Sequence, residues 1–308
     1  PEKKKEFTAK LADLVLANLK PAGRSRLYSK KEEKDLKNRV ENVNPEINQY
    51  EALGLEKGAG QEEIEIAYQE KEKTPAVEQA YKILSDAANR QVYDDSGIEP
   101  TMDYKLVRPE VLYLKLKKFS PTSFDELKRV TEKVDNQGGP NSLIIDLRDN
   151  AGGSIDLLPY FLGPFIGQDQ YAYQFFHQDE KTDFKTRTGW LPSLVRYKKV
   201  IILINENTQS SAEVTAATFK KYNVGIVIGT TSKGWGTVEK VFQMEQQIDP
   251  NEKYSIFLVH SLTLRDDGQP IEGQGIDPVI KTSDVNWQEQ LYSYFPYPPL
   301  IEAVKEVW

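Results

Sequence analysis

The sequence predicts an α/β core preceded by a helical region, and three observations carry that prediction. Short runs of consecutive apolar residues, "SLIIDLR" (142–148), "VIILIN" (200–205) and "VGIVIG" (224–229), read as strands of a parallel sheet buried on both faces. A helical stretch at 211–222 joins the second run to the third, which is the grammar of a right-handed crossover. Upstream of residue 100 the spacings are helical and no strand signal stands out.

Length and composition set the outer bounds. At 308 residues the chain has room for about two domains and a sizeable core. Hydrophobic residues make up 39% and charged residues 28%, a folded rather than disordered composition. The net charge of −7 argues against a nucleic-acid partner held by phosphate contacts. With no Cys and only two His, thiol nucleophiles, iron–sulfur clusters and three-His zinc sites are excluded, and neither a metal nor a cofactor is expected. No apolar run approaches the ~18 residues of a membrane span. The chain opens at Pro1 rather than Met, so a trimmed chain with its targeting segment removed is expected.

Phe7, Leu11, Leu14, Val15 and Leu19 recur at helical steps, Pro21 and Gly23 end that helix, and a second is expected over 30–40. Lys3, Lys4 and Lys5 read as a solvated end. Between 44 and 100 the pattern is one of short helices, with Ile64, Ala67 and Tyr68 on one face and Val77, Ala80, Tyr81 and Leu84 on another. A strand is expected at 111–119, where apolar and basic residues alternate. A helix at 123–134 follows, with Ser123 and Glu126 in capping-box spacing ahead of Leu127, Val130 and Val134.

Two segments have the makings of a reactive site. Asn150-Ala151-Gly152-Gly153 follows a buried strand, and paired glycines let backbone N–H groups face a ligand. Such a turn serves as an oxyanion hole, an anion nest or a tight join, and without a following Gly-Lys-Ser/Thr it is not a P-loop. The segment 205–213 leaves another buried strand and opens a helix. Ser210 or Ser211 there is either a helix cap or a nucleophile whose oxyanion the helix end stabilises.

Four motifs in order, over about 105–280, resemble the C-terminal processing (tail-specific) serine peptidases. They are "LIIDLRDNAGGSID", with Ala151 where the family has Pro, "ILINENTQSSAEV", "IVIGTTSKGWGTVE" and "SLTLRDDGQPIEGQGIDPVI". The resemblance implies a core of ClpP/crotonase type, with Ser210 as nucleophile and an oxyanion hole from N–H groups near Gly152, Gly153 and Ser211. It implies an extended polypeptide as substrate and, from the family alone, an extracytoplasmic location. The family's general base is a Lys 25 residues beyond the nucleophile, where this chain has Trp235, and its orienting Gln position holds Glu239. Lys233, two residues earlier, is the candidate substitute, and Glu239 could pair with it. His260 reads as core or strand-edge structure and His177 as surface.

Where relatives carry a PDZ domain, residues 47–100 resemble the J domain of DnaJ-type co-chaperones. The matching pieces are Leu53-Gly54-Leu55, Ala67-Tyr68, Ala80-Tyr81-Lys82-Ile83-Leu84 and Tyr93-Asp94. That family's His-Pro-Asp loop is absent, with Lys73-Thr74-Pro75 at the join, which argues for a packing unit or a protein-docking module rather than a working co-chaperone. Three regions are therefore expected: a helical segment (1–46), a J-like domain (47–100) and a processing-peptidase-like domain (101–308). Two functions stay open, a serine peptidase acting through Ser210, full or weakened, and an inactive relative that binds peptides or serves as a scaffold.

Overall fold

The computed structural model describes residues 2–135 and 139–308. Pro1, on which the expected loss of a leader rests, lies outside them. The chain opens with α1 (Glu2–Asn18), β1 (Arg26–Ser29) and α2 (Lys30–Glu41). Four short helices follow: α3 (Gln49–Ala52), α4 (Gln61–Glu70), α5 (Pro75–Leu84) and α6 (Ala87–Ser96). The α/β part runs through β2 (Met102–Arg108), β3 (Val111–Leu116), α7 (Ser123–Asp135), β4 (Ser142–Asp146) and α8 (Leu158–Ile166). It continues with β5 (Tyr171–His177), β6 (Glu180–Lys185), α9 (Pro192–Val195), β7 (Lys199–Ile204), α10 (Ser211–Lys221) and β8 (Ile226–Gly229). Last come β9 (Thr237–Gln243), β10 (Tyr254–Leu264), β11 (Ile280–Lys281), α11 (Trp287–Tyr294) and α12 (Pro298–Val307).

One sheet has the order β11-β8-β7-β4-β3-β2, parallel throughout except for β2 at its edge. The uninterrupted apolar runs are explained by its two covered faces. Leu143, Ile145, Val200, Ile202 and Ile204 point into one core with Leu127, Val130, Phe161 and Phe219. Ile144, Ile201 and Leu203, one step along the pleat, point into another with Leu291, Leu300, Ile301 and Val304. The second sheet is antiparallel, β1-β10-β5-β6, with β9 on β10.

Several expectations are corrected. The opening segment is not wholly helical: β1 pairs with residues 254–257 of β10 and so belongs to the second sheet. Four residues of mixed polarity carry no alternation long enough to be read as a strand. The stripe of α1 is unburied, with Phe7 66% and Leu14 59% exposed. The strand expected at 111–119 ends at Leu116, and Phe119 instead bridges to Gly153. Ser123 and Glu126 form no capping box. The Glu126 carboxylate accepts from the N–H groups of Thr101 and Met102 and from Thr122 Oγ1, so it fastens α7 to the start of β2. A buried carboxylate takes the partners that tertiary packing offers.

The helical module at 47–100 has its own small core of Tyr50, Leu53, Ile64, Val77, Ala80, Ile83 and Leu84. Tyr68 and Tyr81 stack at 3.8 Å between its helices. Lys82 pairs with Asp103 of β2 and Arg129 of α7 donates to Asn89, so the module is tied to β2 and α7.

Candidate active site

The glycine turn after β4 and the loop before α10 are stitched together. Gln209 N–H donates to Asn150 O at 3.0 Å, Gln209 Nε2 to Ala151 O at 3.3 Å and Ser211 Oγ to Gly153 O at 3.1 Å. A Cβ on Gly152 would stand 2.6 Å from Ser210 Cβ, so only glycine lets the turn approach the serine this closely. Ser210 itself has φ +56° and ψ −125°, an unfavourable conformation for a residue with a side chain, and it immediately precedes the first turn of α10.

The three candidate oxyanion donors differ. Gly152 N–H is committed to Asn150 Oδ1 at 2.8 Å, whereas the N–H groups of Gly153 and Ser211 have no acceptor among the described residues. Gly153 has φ +143°, and a Cβ there would fall 2.0 Å from Phe119 O. Gly153→Ala is therefore expected to lower stability by roughly 2–4 kcal/mol, read by urea unfolding; an unchanged midpoint would show that the turn can relax.

The first of these turns is braced from below. Asp146 is fully buried and accepts from Tyr113 Oη at 2.6 Å and from Arg148 Nη2 at 2.6 Å. Arg148 also donates to Val307 O at 2.6 Å, which pins the end of α12 beneath the turn. Asp149 accepts from the amides of Asn205 and Asn207, and these bonds hold its pKa below the ordinary carboxylate value.

Glu213, which sequence reasoning missed, is the joint of the site. It sits one turn into α10, fully buried, and takes four donors. Ser210 N–H (2.9 Å) and Trp235 N–H (2.8 Å) meet on Oε2, while Ser232 Oγ (2.6 Å) and Gly234 N–H (2.7 Å) meet on Oε1. One carboxylate oxygen thus draws the Trp235 backbone toward that of Ser210. Burial pushes the Glu213 pKa up, and the four hydrogen bonds pull it back part of the way. A Glu three residues after a cap serine is a capping-box signal, and it was legible in that sense alone.

The base position differs from expectation in its partners. The Trp235 indole N–H donates to Glu239 Oε1 at 3.3 Å, and Thr237 Oγ1 donates to the same oxygen at 2.6 Å. Burial raises the Glu239 pKa against those bonds. Glu239 does not pair with Lys233. Residues 231–236 are not a strand, so the expected common face of Lys233 and Trp235 is not set by strand alternation. Lys233 is exposed, its Nζ is 5.9 Å from the indole centroid, and its side chain makes no hydrogen bond among the described residues. His177 and His260, read separately as surface and strand edge, stack on each other at 4.0 Å, and neither is bonded to Ser210. Among the described residues no cluster of three or more His, Asp or Glu is placed to hold a metal.

Residues 110–282 match Peptidase family S41. A "Probable CtpA-like serine protease" of Staphylococcus epidermidis is 29% identical over 175 residues, 57% of this chain and 34% of the relative. A carboxy-terminal-processing protease of Bartonella bacilliformis is 24% identical over 201 residues, 60% of this chain and 44% of the relative. The chain thus spans less than half the length of these curated relatives. Among solved structures, a photosystem II D1 C-terminal processing protease aligns with a TM-score of 0.50 at 16% identity, covering 59% of this chain and 48% of that one. That likeness is one of fold.

Proposed function

The chain belongs to peptidase family S41, and from that premise we propose a serine peptidase of the carboxy-terminal processing kind, cutting extended polypeptide through Ser210 at a rate held down by Trp235. The observation that carries the reading is the strained Ser210 set against a glycine turn, with the Gly153 and Ser211 N–H groups left over. In the reaction Ser210 Oγ attacks the peptide carbonyl carbon, and the carbonyl oxygen, now negative, takes those two donors. The amine leaves with the proton that Oγ gives up, relayed through bulk water, and a second water then cleaves the acyl–Oγ ester, releasing the acid and restoring the hydroxyl. What is missing is the acceptor for the hydroxyl proton, since an indole N–H only donates.

We read the core as of ClpP/crotonase type and the helical module as J-like, serving as a packing unit with room for a protein partner. An extended substrate would add as a strand beside the glycine turn, its backbone supplying the affinity. An extracytoplasmic location is proposed by analogy with the family. A second reading, a chain that captures peptides without cutting them, is favoured by Trp235 itself.

Hydrolysis of unstructured polypeptides, followed by mass spectrometry, tests the proposal. Slow cleavage that disappears in Ser210→Ala supports it, and with Lys233 exposed and unpaired, Lys233→Ala should leave that rate within about twofold. Peptide binding with no cleavage above the Ser210→Ala background would favour the second reading.

A further inference from the structure

The segment between α1 and β1 contributes a residue to this site that neither the motifs nor the family match covers. The Arg24 guanidinium lies over the Trp235 ring at 3.5 Å from its centroid. It is also paired with Glu272 through Nη2 at 2.9 Å and Nε at 3.2 Å, and both side chains are largely buried, 16% and 14% exposed. The other oxygen of Glu272 accepts from Gly236 N–H at 2.8 Å, so the pair is anchored to the loop that carries the indole. The segment itself is fastened. Ser25 Oγ accepts from Val259 N–H, β1 runs along β10, and Asp13 accepts from Arg26 and from Leu27 N–H.

Trp235 is therefore held on three sides. Its backbone shares a Glu213 oxygen with Ser210, its indole N–H points to Glu239, and Arg24 covers a face of its ring. A planar cation on an aromatic face, fixed at the same time by a forked ion pair, leaves the ring little freedom. The ring so fixed belongs to the residue at the family's general-base position, whose backbone N–H shares a Glu213 oxygen with that of Ser210.

We propose that Arg24 is a positioning residue of the active site: it locks the Trp235 indole in place and so restricts approach to Ser210. The proposal rests on Ser210 being the reactive group, but it has a readout that does not. Three of the four tryptophans can be subtracted by comparing each protein with its Trp235→Phe counterpart, which isolates Trp235 fluorescence.

In the full chain, Arg24→Leu is expected to raise acrylamide quenching of Trp235 and to speed fluorophosphonate labelling of Ser210. The expected gain in labelling lies between about twofold and thirtyfold, the range a cation–π contact can hold back. Arg24→Lys, which keeps the charge but loses the planar fork, should fall between the two. Glu272→Gln, which leaves Arg24 in place but breaks its anchor, should move both readouts the same way and stands in if Arg24→Leu fails to fold. Unchanged Trp235 quenching in Arg24→Leu, or in Glu272→Gln where the former is unfolded, overturns the proposal. Absence of labelling in every variant would instead count against the peptidase reading, with quenching still deciding the role of Arg24.

Discussion

Trp235→Lys combined with Glu239→Gln is expected to raise peptide-bond cleavage by about 10²–10⁴-fold, the usual worth of general-base assistance. On the proposed mechanism Ser210, the glycine turn and the Gly153 and Ser211 N–H groups, which have no acceptor among the described residues, are already in place, so the substitution supplies only the missing proton acceptor. A lysine is a base only when its charged form is disfavoured. At this position burial and the Arg24 guanidinium, now facing the amine instead of the indole, both push its pKa down. Glu239 must be neutralised in the same protein, because a carboxylate beside the amine would hold it charged. The rate should then rise with pH through the depressed amine pKa and vanish when Ser210→Ala is added. A folded double variant that cuts no faster than wild type would show that more than the base is missing.

Glu213→Ala is expected to cost about 4 kcal/mol or more in unfolding free energy and to abolish the reactivity of Ser210. Removing the carboxylate orphans Ser210 N–H, Trp235 N–H, Gly234 N–H and Ser232 Oγ, and each buried unsatisfied group costs about 1–3 kcal/mol. Glu213→Gln, which keeps one carbonyl acceptor but adds donors where donors already converge, should fall between. Burial raises the Glu213 pKa, so the folded chain holds that proton more tightly than the unfolded chain. Its titration therefore favours folding below the ordinary glutamate value and loses that contribution as pH rises through the folded pKa. Glu213→Gln should flatten this part of the stability–pH curve, measured by denaturant unfolding across the acidic range. A wild-type midpoint in Glu213→Ala would mean that the four donors find other partners.

What could be read from the sequence follows from where each signal is stored. β4, β7 and β8 announce themselves because a strand covered on both faces must be apolar throughout, and their parallel pairing follows from the helix between. β6, with four of its six residues charged and its side chains largely in solvent, gives no such signal, and β1 is too short to show alternation. The glycine turn was legible because turn chemistry is local: a glycine is needed where another backbone or a side chain comes close, whereas the choice of Ser210 over Ser211 came from the family resemblance alone. Glu213 and Arg24 were not legible, since their significance lies in partners 19 to 22 residues away in one case and more than 200 in the other. The stacked pair His177 and His260 belongs with them. Two strands bring together rings that are 83 residues apart.

The central claim is that Ser210 is a nucleophile in an assembled oxyanion site whose proton acceptor has been replaced by Trp235. Mass spectrometry of the full chain after exposure to a fluorophosphonate probe, with the adduct mapped by peptide fragmentation, tests it most directly. The account predicts a single adduct on Ser210, formed slowly in the wild type, absent in Ser210→Ala and markedly faster once Lys stands at 235 with Gln at 239. An adduct that persists in Ser210→Ala, or none at Ser210 even with the lysine in place, would contradict it.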